Sequence, residues 1–162
     1  MKYQLSSLVT ASLGTRTTVN VHVGSTILDE DLEVEFIRGE VQFTRVNQGI
    51  YAQGYLQTQV NLTCVRCLEP FSYPLDFEID ERFAFSRGDA AEEPIYLIAS
   101  DGVIDLAEPT RQQMWISLPI QPLCRPDCRG LCAQCGVNLN DESCTCQEET
   151  IDPRLAALKE LL

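Results

Sequence analysis

The 162-residue chain falls in the size range of one domain and can bury about two-thirds of the surface its unfolded form exposes. Acidic side chains number 24 against 12 basic ones, which leaves a net charge of −12, and Lys2 and Lys159 are the only lysines. That balance argues against broad binding to nucleic acid phosphates, which needs Lys and Arg along the contact; any encounter with RNA would run through another protein or a local basic patch.

The opening residues, Met1-Lys2-Tyr3-Gln4-Leu5-Ser6-Ser7-Leu8, are a polar mixture rather than the apolar run of a secretory leader. No later stretch approaches the roughly 20 apolar residues a membrane span requires. A cytoplasmic location without membrane contact is the expectation. Clustered cysteines in such a reducing compartment bind metal or do redox chemistry more often than they pair as disulfides.

The first region runs to about Thr63 and reads as β-structure. His22 lies in an alternating run over residues 18–23 and reads as an ordinary strand residue rather than a ligand. Leu32, Val34 and Phe36 alternate with Glu33 and Glu35, the period of a half-buried strand, and Val41 and Phe43 repeat it after Gly39. A turn at Asn47-Gln48-Gly49 leads into a second alternation, with Ile50, Ala52, Leu56, Val60 and Leu62 set against Tyr51, Gln53, Tyr55, Gln57 and Gln59. The pair predicts a long antiparallel hairpin. Leu75, Phe77 and Ile79 mark another strand.

An acidic loop over residues 87–94 separates this sheet from the short apolar strand Ile95-Tyr96-Leu97-Ile98. Asp105, with Glu108 three residues on, has the spacing of a capping box. The helix that follows carries Leu106, Met114, Trp115 and Leu118, with Pro109 in its first turn and Pro119 ending it. Trp115 is expected in the core, since large aromatics dominate core packing; docking is its other reading. Near the end, Asp152-Pro153-Arg154 has the cap and first-turn proline of another helix, striped by Leu155, Leu158, Leu161 and Leu162.

These elements predict an α+β protein: mainly antiparallel sheet, a few short helices and a Cys-rich zinc-binding C-terminal region. Residues 1–118 form the β-rich part, with its short helix near 105–118. Residues 119–162 form the Cys-rich region and C-terminal helix, packed as one unit with it. The stretch between Pro119 and Cys146 has no hydrophobic period, so its order must come from another source.

That source is eight cysteines in four pairs. Cys64 and Cys67 make one C-x2-C, Cys132 and Cys135 another; Cys124 and Cys128 are separated by three residues, and Cys144 and Cys146 by one. Zinc takes four soft ligands in a tetrahedron, and two thiolates in a tight turn can both face one ion. Gly136, directly after Cys135, suits such a turn. One or two zinc ions are expected. The two C-x2-C pairs are taken to share the primary site, Cys64, Cys67, Cys132 and Cys135, stapling the sheet to the tail. Cys124, Cys128, Cys144 and Cys146 would then form a secondary site in a crossed pattern. Side chains two apart on an extended strand lie about 7 Å apart, so the Cys144 and Cys146 pair needs a turn.

Arg66, Arg125 and Arg129 lie among the cysteines. They either offset the negative charge of a four-thiolate site or form a small basic patch for RNA or a protein partner. Competing chemistry is a thiol-redox or iron–sulfur protein using the C-x2-C pairs; Cys128, Cys132 and Cys135 also read C-x3-C-x2-C, an iron–sulfur spacing. No phosphate-cradling loop, metalloprotease motif or nucleophile elbow appears, and no small-molecule substrate is evident.

The string Cys64-Val65-Arg66-Cys67-Leu68-Glu69-Pro70-Phe71, then Leu118-Pro119, Leu123-Cys124-Arg125-Pro126-Asp127-Cys128-Arg129-Gly130-Leu131-Cys132, Cys135-Gly136-Val137-Asn138-Leu139-Asn140 and Asp152-Pro153-Arg154-Leu155 resembles the YceD family. The similarity covers residues 62–162. It implies a non-enzymatic ribosome-biogenesis factor needed for accumulation of large-subunit (23S) ribosomal RNA. Ribosome-assembly proteins or the large-subunit precursor RNA are the partners it implies.

Overall fold

The structure, a computed structural model, describes residues 1–29, 32–85 and 96–146. The predicted acidic loop at 87–94, Ile95 and the helix expected after Asp152 lie outside the described residues. In chain order the elements are β1 (Lys2–Gln4), α1 (Ser6–Val9), β2 (Arg16–Val23), β3 (Thr26–Asp29), β4 (Leu32–Val46), β5 (Gly49–Thr63), β6 (Pro70–Ala84), β7 (Tyr96–Leu97), β8 (Val103–Asp105) and α2 (Ala107–Ser117).

The main sheet is ordered β2-β4-β5-β6-β7, with β3 also on β4. Its pairs are antiparallel except β6 with β7, and β1 pairs with β8 in a separate two-stranded sheet. The expected mainly antiparallel architecture is therefore present. Strands β4, β5 and β6 each have 15 residues and span about 50 Å at ~3.3 Å per residue.

The β4–β5 hairpin closes through two residues between the paired Val46 and Gly49, with Gln48 at φ 65 supplying the left-handed turn conformation. Pairing of β5 with β6 runs unbroken from Gly49 opposite Ala84 to Thr63 opposite Pro70. That register carries Cys64 and Cys67 to the far end of the sheet, where the β5–β6 connection turns.

One sheet face is apolar because inward positions recur every second residue. Val41, Phe43, Ile50, Ala52, Leu56, Leu75, Phe77 and Ile79 are buried, while Gln53, Tyr55, Gln57, Asp76 and Glu78 face out. The period breaks within β4. The β4–β5 register shifts between Val34 and Ile37, so Ile37 takes the buried position that simple alternation gave to Phe36. Phe36 is left half-buried under the Arg38 guanidinium, 4.7 Å from its ring centre. His22 sits in β2 and is exposed.

Leu8 of α1, Leu106 and Met114 join the sheet's inward residues in one core. Two expectations for α2 are corrected here. Trp115 is 42% exposed rather than core. The buried stripe runs through Leu106, Thr110 and Met114 at i, i+4 spacing, and Trp115, one residue past Met114, is turned about 100° away from it. The capping box does not form either. Asp105 Oδ1 accepts the Ala107 amide at 2.9 Å, one residue outside the cap position, and Glu108 pairs with Arg111 instead. As expected, α2 stops before Pro119, and Leu118 is already extended at ψ 140.

Candidate metal centres

The cysteines meet in two groups, and the partition is not the crossed one. Cys64, Cys67, Cys124 and Cys128 form a centre at the sheet end; Cys132, Cys135, Cys144 and Cys146 form a second on the tail. This corrects the expected grouping of Cys64 and Cys67 with Cys132 and Cys135, and of Cys124 and Cys128 with Cys144 and Cys146. It also splits the C-x3-C-x2-C string, because Cys128 lies in one group and Cys132 and Cys135 in the other.

The physical reason is the path of the chain after α2. Pro122 O accepts the Val65 amide at 3.0 Å, which delivers Cys124 and Cys128 directly against the β5–β6 turn. The chain then passes over Arg66, whose carbonyl accepts the Leu131 amide at 3.1 Å and whose guanidinium donates to Cys128 O at 2.9 Å. Gly130 makes that crossing feasible: at φ +75, a side chain there would meet Arg66 O at 3.0 Å. Beyond it, Leu131 bridges Asn138 in a small hairpin that carries Cys132 and Cys135 away from the sheet.

The two C-x2-C loops share one backbone design. In the first, Leu68 N donates to Cys64 O at 2.9 Å and Cys64 N to Glu69 O at 3.0 Å; in the second, Gly136 N donates to Cys132 O at 2.9 Å and Cys132 N to Val137 O at 2.9 Å. Both need a left-handed residue just after the second cysteine. Gly136 supplies it at φ 72, and Leu68 is forced into it at φ 60.

Within each group all four sulfurs lie within 4.8 Å of one another. Across the sheet centre, Cys64 and Cys128 are 3.8 Å apart and Cys67 and Cys124 3.6 Å. Four sulfurs bound at ~2.3 Å in a tetrahedron stand about 3.8 Å apart, whereas a disulfide needs about 2.05 Å. Eight unbridged thiols at these separations fit one thiophilic ion per group. Either group can hold a metal ion.

In each group the surroundings favour ionisation of one thiol and oppose it at another. Burial opposes ionisation of Cys64, yet the amides of Cys67, Cys124 and Arg66 point at it and bring it down to about 6. Cys132 falls to about 6, chiefly through the amides of Cys135 and Gln134. Their neighbours move the other way: burial and adjoining thiols push Cys124 up to about 12, and the Cys135 thiol and burial do the same for Cys146. Four thiolates cannot ionise together at this range unless a cation is shared among them.

The settings differ. Cys64, Cys67 and Cys128 are buried and flanked by Phe71 and Leu123. Cys135 and Cys146 are exposed. Of the three arginines, Arg66 is committed to the Cys128 carbonyl, and Arg125 sits 3.7 Å from Asp127 at the surface. Arg129 is exposed, its backbone amide held by Asn140 Oδ1 at 2.8 Å. Sequence reasoning missed Leu68, Asn138 and Asn140 as site residues; the Asn-rich turn after Gly136 was the available signal.

Residues 52–162 match the family described as large ribosomal RNA subunit accumulation protein YceD. The chain belongs to the YceD family. The matched segment takes in both cysteine groups, all of β6 and β5 from Ala52 onward. An uncharacterized protein of Mycobacterium tuberculosis is 36% identical over 139 residues, 84% of this chain and 62% of that protein. The uncharacterized protein YlbN of Bacillus subtilis is 30% identical over 102 residues, 62% of this chain and 59% of its own length. A maize protein named large ribosomal RNA subunit accumulation protein YCED homolog 1, chloroplastic, is 27% identical over 142 residues, 68% of this chain and 48% of that protein. The chain thus spans less than two-thirds of the length of these relatives. No solved structure matches it. Among the described residues no helix is long and apolar enough to cross a membrane.

Proposed function

We propose that this chain is a non-enzymatic factor in cytoplasmic ribosome assembly that supports accumulation of large-subunit (23S) ribosomal RNA, with a structural zinc ion in each cysteine centre. The observation that carries the reading is the coincidence of the YceD match with two four-thiol centres built as scaffolds. Each four-thiol group draws its cysteines from two segments of the chain, and the name of the maize relative supplies the ribosomal RNA connection. Structural zinc sites are closed by four protein ligands, as each group here provides.

The partners are ribosome-assembly proteins or the large-subunit precursor RNA. A net charge of −12 favours protein contacts, with Arg125 and Arg129 at the rim of the sheet centre as the local basic exception. Arg66 contributes charge there while its guanidinium braces Cys128. Depletion in the source cell should lower 23S relative to 16S ribosomal RNA. Re-expression of the wild-type chain should restore the ratio, and normal 23S levels on depletion would remove the proposal.

The thiol-redox or iron–sulfur reading has less support. Sulfurs mutually within 4.8 Å suit one ion better than a cluster of several irons and bridging sulfides, and 3.6–3.8 Å is too long for a disulfide. Metal analysis of anaerobically purified protein decides: two zinc ions per colourless chain are expected, and iron with acid-labile sulfide would reverse the assignment.

A further inference from the structure

Asn140 belongs to the tail centre by position, lying between Cys135 and Cys144, yet its side chain serves the sheet centre. Its Nδ2 donates to Cys128 Sγ at 3.4 Å and to Asn138 Oδ1 at 2.7 Å, while its Oδ1 accepts the Arg129 amide at 2.8 Å. The reverse orientation would set its oxygen against a thiolate and a second carbonyl oxygen, leaving no acceptor for Arg129 N–H.

Asn140 is held there by the tail's own turn. Asn138 Oδ1 accepts the Asn140 amide at 3.1 Å, Asn138 O accepts the amides of Asp141 and Glu142, and Leu139 N donates to Gly130 O at 2.9 Å. The same hairpin is closed by Cys132 N to Val137 O and by the Leu131 bridge to Asn138. An ion held by Cys132, Cys135, Cys144 and Cys146 ties down both ends of the segment that presents Asn140.

We infer that Asn140 couples the two centres: closing the tail centre places a hydrogen-bond donor on Cys128, so the sheet centre holds its ion more tightly when the tail centre is filled. The inference rests on reading both cysteine groups as metal centres. An N–H directed at a ligating sulfur favours the thiolate that binds, and loss of such an outer partner typically lowers metal affinity by about 10–100-fold. Asn140 is a positioning residue in this scheme, since it touches a ligand and not the ion.

The test is zinc titration of the full chain against a competing chromogenic chelator, with cadmium-113 NMR to resolve the two centres. Asn140→Asp keeps the acceptor for Arg129 N–H but replaces the donor with an anion; it should weaken the sheet centre about 10–100-fold and move its cadmium resonance while the tail's stays in place. The double variant Cys135→Ser with Cys146→Ser opens the tail. It should weaken the sheet centre by a similar factor, and adding Asn140→Asp should cost little more, because both changes remove one interaction. An unchanged sheet-centre affinity in Asn140→Asp, or independent multiplication of the two effects, would overturn the coupling. A wild-type chain that takes up no metal would instead overturn the reading of the centres themselves.

Discussion

At the sheet end, Cys64 and Cys67 sit in a turn closed by two backbone hydrogen bonds; on the tail, Cys132 and Cys135 repeat both bonds. Around the first turn lie a β-hairpin of two 15-residue strands, Phe71, Leu123 and the Arg66 brace, and its sulfurs are buried. Around the second the described residues offer little apolar material, and Cys135 and Cys146 face solvent. The same local geometry therefore rests on hydrophobic burial in one place and, with metal held as proposed, would rest on sulfur ligation in the other. Because the sheet is already folded by its own core, the first centre refines an existing structure. Among the described residues the tail has no comparable core, so a metal held by the second centre would supply its order.

Stripping the metal should separate the two regions most strongly. With both ions removed by a chelator, hydrogen exchange at the Cys132, Gly136 and Leu139 amides should accelerate by about 100-fold or more, while β5 amides keep their protection. Unchanged exchange on the tail would mean that its hydrogen bonds hold the turn without metal. Single ligands should divide the effect unequally. Cys67→Ser removes a ligand from the buried centre and is expected to lower Tm by roughly 10 °C, the equivalent of about 3 kcal/mol. Cys146→Ser should release the tail ion and shift Tm by about 5 °C, roughly half as much, because the sheet keeps its own core and its centre loses only the Asn140 contribution. Equal shifts would erase the distinction.

The residue after each C-x2-C gives a finer contrast. Gly136→Leu puts a side chain at φ 72 and should destabilise the tail by about 1–2 kcal/mol. Leu68→Gly relieves the same strain at φ 60 but frees the unfolded chain, so denaturant unfolding should register a change within about 1 kcal/mol. The smallest effect tests whether the sheet body is electrostatically independent of the cysteines. Burial works against the Asp105 carboxylate, but the Ala107 amide helps to hold its pKa below the ordinary value. Its stabilisation is therefore complete above the usual aspartate range and fades as pH falls through the lowered value. Asp105→Asn should cost under about 1 kcal/mol at neutral pH, less in acid, and by the same amount with or without metal.

The long strands were legible because one face of the sheet is dry and the other wet, which writes the period of two into Val41, Phe43, Ile50, Ala52, Leu75 and Ile79. The shift at Ile37 was not legible, since Phe36 and Ile37 are both apolar and only the partner strand decides which turns inward. Thr110 hid the inward stripe of α2. It is buried with no hydrogen-bond partner for its hydroxyl among the described residues, whereas Trp115 was the expected core residue because large aromatics dominate core packing.

By itself the sequence determined that the chain is mainly antiparallel sheet, that its eight cysteines come in four pairs, and that the cysteine-rich end carries the family resemblance. Those properties depend on local spacing, which a linear reading preserves. Only the tertiary structure decided which pairs meet. Every pair offers the same two thiols, so ligand chemistry has no preference among partners. The choice falls to the crossing of Gly130 over Arg66, which leaves Cys128 beside Cys64 and sends Cys132 away.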